Sequence, residues 1–137
     1  LRPPELDRLG LTETLRSIIS EIESAEIIKI NSELNNIDGS IPNDKEINLV
    51  RILQEAVSNI LKHSGASEIN ITLKKTKTII LLMIKDNGKG FNLENHSNGL
   101  GIMSIKERAD ILGGTAEIDS KQGEGTILQV EIPVKND

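Results

Sequence analysis

Six consecutive apolar residues, Ile79 to Ile84, end two positions before a lone carboxylate, Asp86, and the backbone then loosens into "NGKGFNLENHSNGLG" (87–101). A run of that length is far too short to span a membrane and reads as a buried strand. Upstream, "EINITLKK" (68–75) alternates apolar and polar residues, the mark of a half-buried strand, and the polar stretch Lys75–Thr78 turns one into the other. The chain must therefore build a sheet around this hairpin. That sheet carries a carboxylate at the end of its most apolar strand, beside glycines at 88, 90, 99 and 101. Glycine permits positive φ and close approach of the backbone to a neighbour or a ligand.

The remaining elements follow from periodicity. "LTETLRSIISEIES" (11–24) sets Leu11, Leu15, Ile18, Ile19 and Ile22 at helical spacing, and "AEIIKINSELNN" (25–36) is strand-like, with Ile28 and Ile30 on one face. The segment 37–44 is rich in turn formers. A helix then runs from Glu46 to about Lys62, and the Asn43–Glu46 spacing predicts a capping box at its start. A second helix is predicted over 102–112, with Ile102, Ile105, Ala109 and Leu112 on one face and Gly113-Gly114 as its stop. A last hairpin is expected from "TAEIDSK" (115–121) and "TILQVEIPV" (126–134) around "QGEG". Sequential hairpins with intervening helices predict an α/β two-layer sandwich: a mixed, mostly antiparallel sheet with helices on one face.

Composition removes several classes of function. The chain has 137 residues, enough for one domain with one core. One Phe and no Trp or Tyr leave Ile, Leu and Val to build that core and provide no stacking platform for single-stranded nucleic acid. A net charge of -5 argues against a phosphate-backbone binder. Without cysteine there are no disulfides, thiol chemistry or zinc–thiolate sites, and His63 and His96 do not make a zincin motif. A domain in the cytoplasm is expected, and the opening "LRPPELDRLGL" reads as the interior of a longer protein.

On the helix 46–63, a period of 3.6 residues aligns Asn48, Arg51, Glu55, Asn59 and Lys62 in one stripe opposite Leu49, Val50, Leu53, Val57, Ile60 and Leu61. Alone, such a stripe is the ordinary solvated face of an amphipathic helix. It also holds a hard oxygen ligand for Mg²⁺ (Asn59), a cation for phosphate (Lys62) and a carboxylate able to act as a base (Glu55). Asp86 could accept a hydrogen bond from an exocyclic amine such as that of adenine. "GLGI" (99–102) places backbone N–H groups before a helix, an arrangement suited to phosphate. Taken singly, "DNG" is a common turn and "GEG" a common hairpin tip. "GLGIMS" lacks the third glycine and the preceding strand of a dinucleotide fingerprint.

As an ordered set these segments resemble a family. "EAVSNILKH" (55–63), "DNGKGF" (86–91), "GLGI" (99–102) and "GEGT" (123–126) are similar to the N box and the three glycine boxes of GHKL-type ATPases. Within that superfamily the sequence resembles the catalytic ATP-binding domain of bacterial sensor histidine kinases of the DesK- and NarX-like group, which "KERADILGG" (106–114) also suggests. The resemblance implies a Bergerat-type fold holding ATP with Mg²⁺. In it Asp86 would bind the adenine amino group, with Thr126 supporting it directly or through water. Asn59 would coordinate Mg²⁺, Glu55 would polarise the attacking nucleophile, and Lys62 would lie near the phosphates. Gly88 and Gly90 would let the chain pass the adenine, while Gly99, Leu100 and Gly101 would cradle the phosphates. Segment 91–98 would be a lid, short and without the second Phe of many histidine kinases. His63 would be structural or phosphate-proximal, and His96 carries no role.

The same resemblance implies that residues 1–10 are a linker from an upstream dimerisation and phosphoacceptor domain, and 11–137 the catalytic domain. The γ-phosphate would pass to a histidine on that upstream domain and on to a response regulator. The parent protein would be a homodimer and could be anchored in the cell membrane; no nucleic-acid partner is expected. Two other readings share the boxes: a serine kinase of the anti-sigma type, and a non-catalytic module that uses the nucleotide as a conformational ligand.

Overall fold

A computed structural model describes residues 2–25, 28–90 and 101–136. The elements, in chain order, are α1 (Pro4–Leu9), α2 (Leu11–Ala25), β1 (Lys29–Leu34), a 3₁₀ turn (Asn43–Lys45), α3 (Glu46–His63), β2 (Glu68–Lys75), β3 (Ile79–Asp86), α4 (Ile102–Ile111), β4 (Thr115–Ser120) and β5 (Thr126–Pro133). The strands form one five-stranded sheet in the order β1-β2-β3-β5-β4. Among the described residues only β1 and β2 run parallel; the other pairs are antiparallel, so the mixed, mostly antiparallel sheet expected from the hairpins is present.

β3 is the central strand. Its inward residues Ile80, Leu82 and Ile84 are buried, while Ile79, Leu81 and Met83 on the other face are half-buried. The continuous apolar run is thus an alternating strand flanked on both sides, whose outer face is partly covered by neighbouring side chains. The inward residues of β2, β3 and β5 share one core cluster with Leu6, Leu11, Leu15, Ile19, Leu49, Ile52, Leu53, Val57 and Ile105.

Within the stretch read as linker, residues 4–9 form a helix whose Leu6 is 1% exposed and belongs to the core, and two other local readings change. Pro4 starts that helix where a missing N–H costs nothing. The predicted capping box does not form: Asn43 opens the 3₁₀ turn and α3 has no side-chain cap at its start. Glu46 turns inward instead, buried and paired with Arg2 at 2.7 Å, and Arg2 also holds Asp7 and the carbonyl of Asn43. Finally, Asn48 leaves the polar stripe. It is buried, and its Oδ1 accepts from Arg108 Nη1 at 3.2 Å, tying α3 to α4.

Candidate nucleotide site

Between α3, α4 and the inward face of the sheet lies a cavity of about 510 Å³. Ile60, Ile84, Ile102, Ile105, Ile118 and Leu128 make its apolar walls, and Asp86, Thr126 and Asn59 are the polar groups set among them. A mostly apolar cleft with a few convergent polar groups suits a small ligand with a flat apolar body and a polar edge.

Asp86 is 2% exposed at the end of β3. Its Oδ1 accepts from the Gly88 N–H at 2.8 Å. Burial pushes its carboxyl above the ordinary aspartate value, and the Gly88 N–H pulls less strongly the other way. A carboxylate held in an apolar wall favours a partner that donates hydrogen bonds. Thr126, its cross-strand partner, stands beside it.

The glycines here serve the chain itself as much as any ligand. A Cβ on Gly88 would strike the Ser64 carbonyl at the end of α3, one on Gly90 the Lys121 carbonyl, and one on Gly125 the Asp86 carbonyl. Gly90 and Gly125 also have positive φ, 65° and 79°. The first and third glycine boxes are thereby pressed against each other, with the Gly123 N–H donating to the Lys89 carbonyl and the Lys89 N–H to the Ser64 carbonyl. Asn87, read as part of a common turn, fastens the loop to β2. Its Oδ1 accepts from the N–H groups of Ser67 and Glu68 at 3.0 and 3.1 Å.

Gly101 precedes α4 with φ 71° and adjoins Asn59 of the cavity lining. A Cβ there would come within 3.3 Å of Asn59 Nδ2 and 3.9 Å of Glu55 Oε2, so the second glycine box meets the N box at this point. Glu55 Oε1 accepts from Ser104 Oγ at 3.1 Å, and Oε2 is buried with no hydrogen-bond partner among the described residues. A buried carboxylate oxygen in that state is poised to accept a hydrogen bond from an arriving group.

The cavity lining thus brings together Asn59, Asp86, Gly90 and Thr126, with Glu55 and Gly101 adjoining Asn59 and Gly88 bonded to Asp86. Lys62 is not among the cavity residues. It is exposed and lines a groove against α2, with Ile18, Ile22 and Leu61. At 100° per residue the cavity side of α3 falls on Asn59, Ile60 and His63, and Lys62 lies on the flank. His63 lines the cavity instead, with Lys89 and Gln122. Sequence patterning could not single out the last two, because polar loop residues carry no periodic signal. Ser104 and Ser120, which bond Glu55 and Thr126, carry none either. Gly99, Leu100 and the lid 91–98 lie outside the described residues.

Residues 44–136 match the family described as histidine kinase-, DNA gyrase B-, and HSP90-like ATPase. The chain belongs to this ATP-binding family. It is 43% identical over 140 residues to the signal transduction histidine-protein kinase/phosphatase DegS of Bacillus subtilis, a match covering 97% of this chain and 36% of that protein. It is also 37% identical to the sensor histidine kinase LiaS of the same organism, across 98% of this chain and 37% of LiaS. The chain therefore spans about a third of the length of these curated relatives. Among solved structures, the histidine kinase domain of the Erythrobacter litoralis EL346 blue-light activated kinase superposes with a TM-score of 0.78 at 20% identity, covering 90% of this chain and 61% of that one. The ATP-binding domain of PrrB from Mycobacterium tuberculosis gives 0.68 at 19% identity, covering 92% and 93%. At these identities the structural likeness is one of fold.

Proposed function

We propose that this chain is the catalytic ATP-binding part of a two-component sensor histidine kinase. It binds ATP with Mg²⁺ and passes the γ-phosphate to a histidine on a dimerisation domain reached through residues 1–10. From there the phosphoryl group goes to a response regulator. The observation that carries the reading is the placement of Asp86: an acceptor buried in the wall of an apolar cavity that Asn59 also lines, with Glu55 and Gly101 adjoining Asn59.

In this reading the adenine lies against the isoleucine walls and gives its amine hydrogen to Asp86, with Thr126 alongside. Asn59 holds Mg²⁺ through its side-chain oxygen. The phosphates and water would supply the remaining ligands to such an ion. The metal, when bound, neutralises phosphate charge during transfer. Gly101, the described residue of the second glycine box, would meet the phosphates with the backbone that opens α4. Glu55 accepts the proton of the incoming imidazole through the oxygen that Ser104 leaves unbonded. A P–N bond then forms as the bond between the β–γ bridging oxygen and the γ-phosphorus breaks. His63 and Lys89 line the cavity, whereas Lys62 lines the groove against α2.

Calorimetric titration with ATP and GTP, with and without Mg²⁺, tests the site. ATP binding that exceeds GTP binding and strengthens with Mg²⁺ is expected, and Asn59→Ala should remove most of the Mg²⁺ effect. Binding that ignores both the base and the metal would overturn the assignment.

A further inference from the structure

Three polar side chains stand in one row across the sheet beside the cavity. Asp86 on β3 pairs with Thr126 on β5, and Thr126 pairs with Ser120 on β4. Direct cross-strand partners on one face are the nearest side-chain neighbours a sheet provides. On the other side of Asp86 the row continues with Ile69, which is fully buried. The polar character of the row is therefore confined to these three positions. Ser120 is itself buried, at 8% exposure, and does not line the cavity. Its Oγ lies 2.7 Å from Thr126 Oγ1 and 3.3 Å from the Gly125 carbonyl oxygen.

Threonine's hydroxyl and methyl are close in size, so packing alone separates its χ1 rotamers poorly, and a hydrogen-bond partner decides where the hydroxyl sits. Ser120 is such a partner. A hydroxyl has one donor and two acceptor sites, so the Thr126 hydroxyl retains capacity toward the cavity while bonded to Ser120. We infer that Ser120 is a positioning residue for the nucleobase: it holds the Thr126 hydroxyl beside Asp86, where that hydroxyl accepts from a water bound to the ring nitrogen next to the exocyclic amine. The pair then complements adenine: Asp86 accepts from the amine, and Thr126, whose own proton goes to Ser120, accepts from a water that donates to N1. This inference rests on the ATP reading of the cavity.

The test is calorimetry on the whole chain with ATP and with its 1-deaza analogue, in which C–H replaces the ring nitrogen N1. Wild type should prefer ATP by about threefold to tenfold, the scale of one net hydrogen bond. In Ser120→Ala that preference should fall toward one, through loss of ATP affinity. Thr126→Val should behave alike, and the double variant should lose no more than either single. Ser120→Thr, which returns a hydroxyl, should recover most of the preference. If Ser120→Ala does not fold, Ser120→Cys, a near-isosteric and poorer hydrogen-bonding group, is read in the same way. A preference unchanged in the Ser120 variant, or none in wild type, overturns the role. Wild type that binds ATP without that preference sinks this inference alone; wild type that binds no ATP sinks the nucleotide reading and this inference with it.

Discussion

Asp86 is held in a state that favours binding over stability. Its carboxyl is raised above the ordinary value by burial, so the folded state takes up a proton more readily than the unfolded chain. Its contribution to stability is therefore greatest below the unfolded aspartate value, near 3.9, and is lost as pH rises through the higher folded value. At neutral pH the ionised group costs stability. Asp86→Asn keeps an oxygen for the Gly88 N–H but turns the second acceptor into a donor. We expect this variant to melt at the same or a higher temperature than wild type at pH 7, with that advantage shrinking toward pH 4. Its ATP affinity should fall by about tenfold or more, since a mispaired buried group costs more than a missing bond. Thermal melts at two pH values and an ATP titration check both halves, and an unchanged affinity would take Asp86 out of the base site.

The elements carry the glycine boxes and the N-terminal helix. Leu6 of α1 is part of the core, so Leu6→Ala should cost about 2–5 kcal/mol in urea unfolding. ATP affinity of the remaining folded protein should change little, because Leu6 is not among the residues lining the cavity. Gly125→Ala should affect both. Its positive φ costs a non-glycine residue roughly 1–2 kcal/mol. Its new Cβ would also meet the Asp86 carbonyl. A lowered urea midpoint together with weaker ATP binding is the expected result; a loss confined to stability would separate the third glycine box from the site. Element boundaries were largely legible: β2 runs from Glu68 to Lys75 as its alternation predicts, and α3 from Glu46 to His63 as its apolar stripe does. The helix over Pro4–Leu9 was not, because six residues hold too few apolar positions to show a period.

The whole molecule is an ATP-binding unit that matches only about a third of its curated relatives. Its proposed kinase activity therefore has to be read in the longer parent protein. There, ATP should yield an acid-labile, alkali-stable phosphoprotein. Glu55→Gln should reduce its formation by about a hundredfold or more, the scale of a lost general base, while leaving ATP affinity within a few-fold of wild type. Autoradiography after acid and alkali treatment, with parallel titration, measures both. Unimpaired transfer in Glu55→Gln would leave that carboxylate a structural role beneath Ser104. Among the described residues no helix is long and apolar enough to cross a membrane.

Sequence alone determined what local chemistry determines: the strands, the two longer amphipathic helices, the carboxylate that ends β3, and an ordered set of boxes specific enough to point to an ATPase. Those features are written in period, in turn residues and in short-range spacing. Which side chains meet was decided only in three dimensions. Lys62 and His63 are neighbours in the chain, yet α3's rotation against the sheet puts the histidine at the cavity and the lysine on the α2 side. Glu46 and Arg2 lie far apart in sequence and meet because the segment before α1 lies against the start of α3. Ser104 and Ser120 gain their partners from elements distant in the chain or paired across the sheet. A hydrogen bond between such groups leaves no periodic trace, because its geometry belongs to the packing of one element on another.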